Sequence, residues 1–167
     1  MESVCPGCNA RLPAVDDWPV PDAFNASREC FHAVGILTSW TQTLGDEAFP
    51  HQHVVDAYAA QHATRTATPI RTAFALIGLH LACDRGVSGV DVQRAHMRLA
   101  QGRRPWPAFE PRDCEGTMTV ADVLAAPDRI AAIHRWAASV WAAWEPDHAA
   151  VWQLASELDH PTPHRRP

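Results

Sequence analysis

Lysine is absent from this sequence of 167 residues; all fourteen of its basic side chains are arginines. Chemistry that needs an amine nucleophile or a phosphate-gripping lysine is thereby excluded. No G-x-G-x-x-G, G-x-x-x-x-G-K or G-x-S-x-G pattern occurs, so dinucleotide binding, P-loop hydrolysis and serine hydrolase chemistry have no footing. Nor does any run approach the roughly 18–20 consecutive apolar residues of a membrane helix. A basic block is missing too, and the formal charge is −5 with histidine neutral, which argues against nucleic acid as a partner. Met1-Glu2-Ser3-Val4 lacks the basic start and apolar run of a signal peptide, so the expected location is the cytoplasm.

What is present is a hydrophobic fraction of 47%, enough at this length for one domain with a core. Seven tryptophans, ten histidines and five cysteines stand out. Five is odd, and in a reducing compartment such thiols serve as ligands or buried groups more often than as disulfides.

The pattern predicts an all-α protein, a compact helical bundle with an irregular N-terminal arm pinned by a metal site. Residues 1–26, broken by Pro6, Pro13, Pro19 and Pro21, form the arm. The bundle occupies 27–158, and 159–167 is a tail expected to fray; no strand is predicted. Ser27 is placed to cap a first helix with Cys30, Phe31, Val34, Leu37, Thr41 and Leu44 on one face. Gly45 and Pro50 end it, and His51, Val54, Val55, Tyr58 and His62 mark a second. The third, Ile70–Arg85, is apolar nearly all round and therefore expected at the centre. Shorter helices follow near Val90–Leu99 and, capped by Thr119, Val120–Ala126. A long one spans Asp128–Trp144, and a terminal one runs from Pro146 to about Leu158. Most of Trp136, Trp141, Trp144 and Trp152 should be core aromatics, and Trp106 should close its loop over the bundle.

Cys5-Pro6-Gly7-Cys8 carries the strongest chemical signal. Two thiolates two residues apart can grip one ion, and Gly7 permits the backbone that the turn requires. The same spacing is a redox motif when it lies between a strand and a helix, so a thiol redox protein is a rival reading. A structural zinc site needs two more ligands. Cys30, in the first turn of the first helix, is the third. The chain climbs about 21 Å from Cys30 to Leu44 and regains about 16–17 Å from His51 to His62 at ~1.5 Å per residue. An antiparallel second helix therefore brings His62, and not His51, back to Cys30. The predicted cofactor is zinc, held by Cys5, Cys8, Cys30 and His62, in a protein of interaction or regulation. Two incidental thiols and a core cysteine are the plain alternative.

The same accounting sets His80 opposite His51 and His53, with Asp56 a turn away. His134 is expected on the core stripe of the last long helix, and His148 follows Pro146. Together His51, Asp56, His80, His134 and His148 are candidates for a metal-dependent hydrolase or transferase, or for acid–base catalysis without a metal. Against this, His53 reads equally as solvated, and His32, His96, His160 and His164 as surface residues. Cys83 and Cys114 have no recognisable activating neighbourhood. Neither a protein partner nor a small-molecule ligand can be named from these patterns.

Several stretches acquire meaning in combination: Cys5-Pro-Gly-Cys8, Cys30 at a helix start, Val55-Asp56-Ala57-Tyr58 with Gln61-His62, Met118 to Val123, and Trp136 to Trp141. In combination they resemble an uncharacterised bacterial family, one of the domains of unknown function, across residues 4 to 152. The resemblance implies one domain and Cys and His positions that belong to the family pattern, with no activity to carry over. That family has Pro after the histidine, where Ala63 stands here. A looser similarity, of fold alone, is to DinB-type helical bundles that hold a metal with three histidines, whose spacing is not reproduced.

Overall fold

The computed structural model describes residues 2–101 and 104–157. The chain opens with two short antiparallel strands, β1 (Glu2–Val4) and β2 (Arg11–Pro13), in which Ser3 faces Leu12 and Val4 faces Arg11. Seven helices follow among the described residues: α1 (Arg28–Thr43), α2 (His51–Gln61), α3 (Pro69–Cys83), α4 (Gly89–Ala100), α5 (Val120–Ala125), α6 (Arg129–Ala143) and α7 (His148–Ser156). A single 3-10 turn, Glu145–Asp147, links the last two. The expected frayed tail, the end of the last helix at Leu158, and His160 and His164 lie outside the described residues.

Local chemistry starts these helices where the caps predict. Ser27 Oγ accepts the Cys30 amide at 3.2 Å, and Thr119 and Asp122 close a reciprocal capping box on α5. The Asp128 carboxylate accepts the Ala131 amide at the start of α6, and Pro69 opens α3, where a missing N–H costs nothing.

α2 and α3 lie side by side in the centre, with α6 packed on both. α1 and α4 cover α2, α7 closes on α3, and α5 bridges α1 and α6. Leu37, Leu76, Ile77, Leu79, Ile133, Trp136 and Trp144 are fully buried. Each such aliphatic side chain contributes roughly 1.5–3 kcal/mol of transfer free energy. α1 and α2 are antiparallel: Cys30 at the start of one meets His62 at the end of the other, and Thr41 meets His51 at the opposite end.

Three expectations need correction. The arm is not wholly irregular, because residues 2–13 form a hairpin whose strands are too short to leave a periodic pattern. The third helix lies at the centre as expected, and it shares that place with the more polar α2, whose Gln52, His53, Asp56 and Gln61 are all buried. His53 is therefore not solvated, and His96, stacked on Phe74 with centroids 4.9 Å apart, is not at the surface. Trp152 is half-exposed, its indole donating to Asp84 at 3.1 Å, while Trp106 packs edge-on against Phe74 as its loop position suggests.

Candidate metal centre

The C-x-x-C forms the tip of the β1–β2 hairpin. Just before β2, Asn9 takes a left-handed backbone (φ 59°) and donates its amide to the Cys5 carbonyl at 2.9 Å, while the Cys5 amide returns to Ala10 at 2.9 Å. This closed loop directs both sulfurs inward. Gly7 is needed for space, a correction to the backbone argument: a Cβ there would lie 2.1 Å from the Asn25 carbonyl oxygen and 2.8 Å from His62 Cδ2. Since a strand follows the motif, the strand-to-helix setting of a redox C-x-x-C is not found here.

Cys30 enters from the first turn of α1, oriented by its amide bond to Ser27 Oγ. The Ser27 amide in turn donates to Cys5 Sγ at 3.4 Å. His62 caps the end of α2, and its Nδ1–H donates to the Tyr58 carbonyl at 3.0 Å. That bond leaves the Nε2 lone pair facing the sulfurs, the arrangement in which a ligating imidazole is fixed by its other nitrogen. The His62 carbonyl accepts the Asn25 amide at 2.9 Å, and Tyr58 stacks on the ring with centroids 4.1 Å apart. Phe24 packs on Tyr58, and Trp18 sits edge-on to His32, so aromatic contacts also hold the segment after the hairpin.

The four ligand atoms lie within 4.8 Å of one another, and all four residues are buried. Tetrahedral coordination with Zn–S near 2.3 Å and Zn–N near 2.0–2.1 Å demands sulfur–sulfur edges of about 3.8 Å and sulfur–nitrogen edges of about 3.6 Å. Cys8 and Cys30 sulfurs are 3.8 Å apart, and His62 Nε2 lies 3.5 Å from Cys5 Sγ and 3.4 Å from Cys30 Sγ. The donor set fits one tetrahedral cation.

Electrostatics point the same way. With no cation to share, three adjacent thiols cannot all ionise. Hydrogen bonds from Cys30 and Cys8 hold the Cys5 thiol far below its ordinary range. The same contacts, with burial, drive Cys30 far above it. Cys8 gains from its bond to Cys30 but is pushed up to about 12 by Cys5 and burial. A divalent cation removes that conflict by ionising all three. The Tyr58 hydroxyl, buried without a partner of hydrogen-bonding geometry, is held well above its usual pKa by burial and by the neighbouring sulfurs.

Residues 3–145 match the model of a family of unknown function, DUF5946. The chain belongs to this family. All four residues of the Cys3His group fall inside the span matched in this DUF5946 chain, whereas α7 lies beyond it. No curated protein and no solved structure matches the chain.

Among the described residues of the DUF5946 chain, the other candidates, His51, Asp56, His80, His134 and His148, do not converge on one point. Among the described residues, the Cys3His set is the one group of three or more such side chains whose ligand atoms converge. His51 directs Nδ1 at Thr41 Oγ1 (3.0 Å) and Nε2 at the Gln42 amide (3.5 Å), and burial lowers its pKa. His80 pairs with Asp84 at 2.8 Å, and Asp84 also accepts the indoles of Trp141 and Trp152. Burial opposes ionisation of Asp84, but those bonds outweigh it and lower its pKa. His148 lies flat on Trp141, centroids 3.7 Å apart, with Nε2 on the Trp141 carbonyl at 3.0 Å. His134 is exposed, not on the core stripe.

Asp56 is buried against Gly78, where a Cβ would lie 2.0 Å from its Oδ2. Gln52 donates to Oδ1 at 3.0 Å, Oδ2 has no partner, and burial raises the pKa far above the usual carboxylate range. Burial of this kind favours the protonated form of the carboxyl. Cys83 and Cys114 are each pushed up to about 11 by burial and a neighbouring aspartate, so neither is an activated thiol.

Sequence reasoning missed the supporting shell. Gln61 is its clearest case: Nε2–H donates to Thr117 Oγ1 (2.7 Å) and the Met118 carbonyl (2.8 Å), and Oε1 accepts the Trp136 indole (3.1 Å). One amide beside His62 thus ties the end of α2 to two distant segments. Its sequence signal is its place beside His62 in the Gln61-His62 pair, which says nothing of the segments it bonds.

Proposed function

We propose that this DUF5946 chain is a cytoplasmic zinc protein in which Cys5, Cys8, Cys30 and His62 hold a structural ion. The ion clamps the N-terminal hairpin to the α1–α2 pair, and the chain folds as one unit around that clamp. The observation that carries this reading is the burial of all four side chains with their ligand atoms within 4.8 Å of one another, which suits a closed four-coordinate site with no position left for substrate. Three sulfurs and one imidazole suit zinc, a borderline-soft ion without geometric preference. A closed site of this kind supplies folding energy in place of Lewis acidity, which favours a role in interaction or regulation over a reaction at the metal.

Elemental analysis of protein purified without added metal tests it. About one zinc per chain is expected in the parent, and a loss of zinc together with a single cooperative destabilisation in the Cys30→Ser variant. Full zinc retention by that variant, or a parent chain that takes up no zinc, overturns the proposal.

A further inference from the structure

At the opposite end of α2 from His62, a cavity of about 190 Å³ opens between α2, the loop before α4 and the start of α6. Asp46, Pro50, His53, Ser88, Ile130 and His134 line it. His53 is 3% exposed, and its Nδ1 is sealed from solvent without a hydrogen-bond partner. Burying an imidazole with nothing to satisfy it is costly, and native structures seldom do so without a use for the group. His134 faces it from α6, exposed at the rim, with ring centroids 5.3 Å apart and planes inclined by 56°.

We propose that His53 and His134 form a second metal site, a two-imidazole grip on a divalent transition-metal ion at this cavity. Two rings that share one ion at about 2.0–2.1 Å with tetrahedral ligation have centres roughly 5 Å apart, the spacing observed. Burial, and then the neighbouring His134, pull His53 down to about 4, so its ring is neutral at physiological pH and its lone pair is available. No third His, Cys or carboxylate converges on the pair among the described residues. The remaining positions therefore open to water or a small ligand in the cavity, with the Asp46 carboxylate on the same wall. Nine residues of helix, about 13 Å of rise, separate His53 from His62, so the site is distinct from the Cys3His centre. It is also the opposite kind, half-protein and open.

The test adds Ni2+ to the purified full chain as it carries its resident metal, followed by calorimetry and by elemental analysis of all metals. One additional Ni2+ per chain is expected, with a Kd in the micromolar range and no displacement of the resident ion. His134→Ala, at an exposed position, should weaken it more than about tenfold with the fold intact. His53→Gln, checked for native circular dichroism, should do the same, and His148→Ala should leave it unchanged. Absence of a second equivalent at roughly 100 µM Ni2+, or binding that survives His134→Ala or disappears with His148→Ala, overturns the proposal. Because the added nickel must be lost with His134→Ala, uptake at the cysteines is told apart from binding at this cavity, and the proposal stands or falls independently of what the cysteines hold.

Discussion

The two ends of the α1–α2 pair carry similar residues and do different things with them. At one end His62 meets Cys30 and the hairpin sulfurs, and four donors point at one place. At the other His51 meets Thr41 and Gln42, each nitrogen satisfied locally, while His53 faces a cavity. The difference is the source of the ligands. Helix-borne side chains on one antiparallel pair approach along one direction, and tetrahedral closure needs donors from another. The β1–β2 hairpin supplies them at the first end; at the second, α6 contributes one histidine and stops. A closed four-donor group is thus a property of three converging elements, and histidine content alone does not make one.

Removing one sulfur should produce the largest effect. Cys30→Ser leaves three donors for an ion that needs four, and frees the Cys5 and Cys8 sulfurs to repel each other. Zinc content should fall below stoichiometry and stability should drop by more than about 3 kcal/mol, read by elemental analysis and thermal unfolding. If the variant unfolds at the parent temperature, the hairpin end is no more essential than the other.

Next comes the acid limb, where the cavity end should show itself. Burial and His134 depress His53 to about 4 in the folded chain against about 6.5 when unfolded. The unfolded state therefore binds the extra proton first as pH falls. The stabilisation is full above about pH 6.5 and disappears on the way to about 4, a loss of up to about 3 kcal/mol. His53→Gln should flatten that limb of the stability–pH curve, measured by urea unfolding from pH 7 to 4.5, with zinc content unchanged at pH 7. An identical limb in both proteins would assign acid sensitivity to the metal end alone.

Gly7→Ala probes how tightly the hairpin is pressed on its neighbours. Its Cβ would meet the Asn25 carbonyl at 2.1 Å, and backbone cannot swing aside as a flexible side chain can. A cost of about 1–3 kcal/mol is expected, with weaker zinc retention against a chelator. Gly35→Ala, whose new Cβ meets nothing nearer than Trp18 at 3.9 Å, serves as the control and should keep its zinc.

The sequence revealed more of the first end than of the second, for a physical reason. Cys5 and Cys8 are tied by two intervening residues, Cys30 is placed by its Ser27 cap, and helical rise carries His62 back to it. Every step is local or one hairpin away. Placing His80, His134 and His148 required knowing which helices are neighbours, and no periodicity encodes that. In the structure His80 and His148 gather around Trp141 and Asp84, while His134 goes to His53. The short strands were illegible because three residues cannot display a period of two. The burial of Gln52, Asp56 and Gln61 on α2 is not encoded in their spacing, because the groups packed against Asp56 and Gln61, among them Gly78, Thr117 and Trp136, come from distant segments.

The smallest predicted effect sets the scale for the comparison. His51 is the partner that antiparallel geometry leaves at the far end, so His51→Ala should remove hydrogen bonds to Thr41 and Gln42 and nothing more. Thr41 Oγ1 still donates to the Thr38 carbonyl at 2.9 Å, and the exposed Gln42 amide N–H, the donor in the lost pair, turns to solvent. The expected loss is about 1 kcal/mol or less, and zinc should stay at one per chain. His62→Ala, a chemically identical change eleven residues along the same helix, should abolish stoichiometric zinc. Elemental analysis of the two variants side by side reads the contrast directly. Should His51→Ala lose zinc as His62→Ala does, the ion is not confined to the Cys–His end, and the division of labour between the two ends fails.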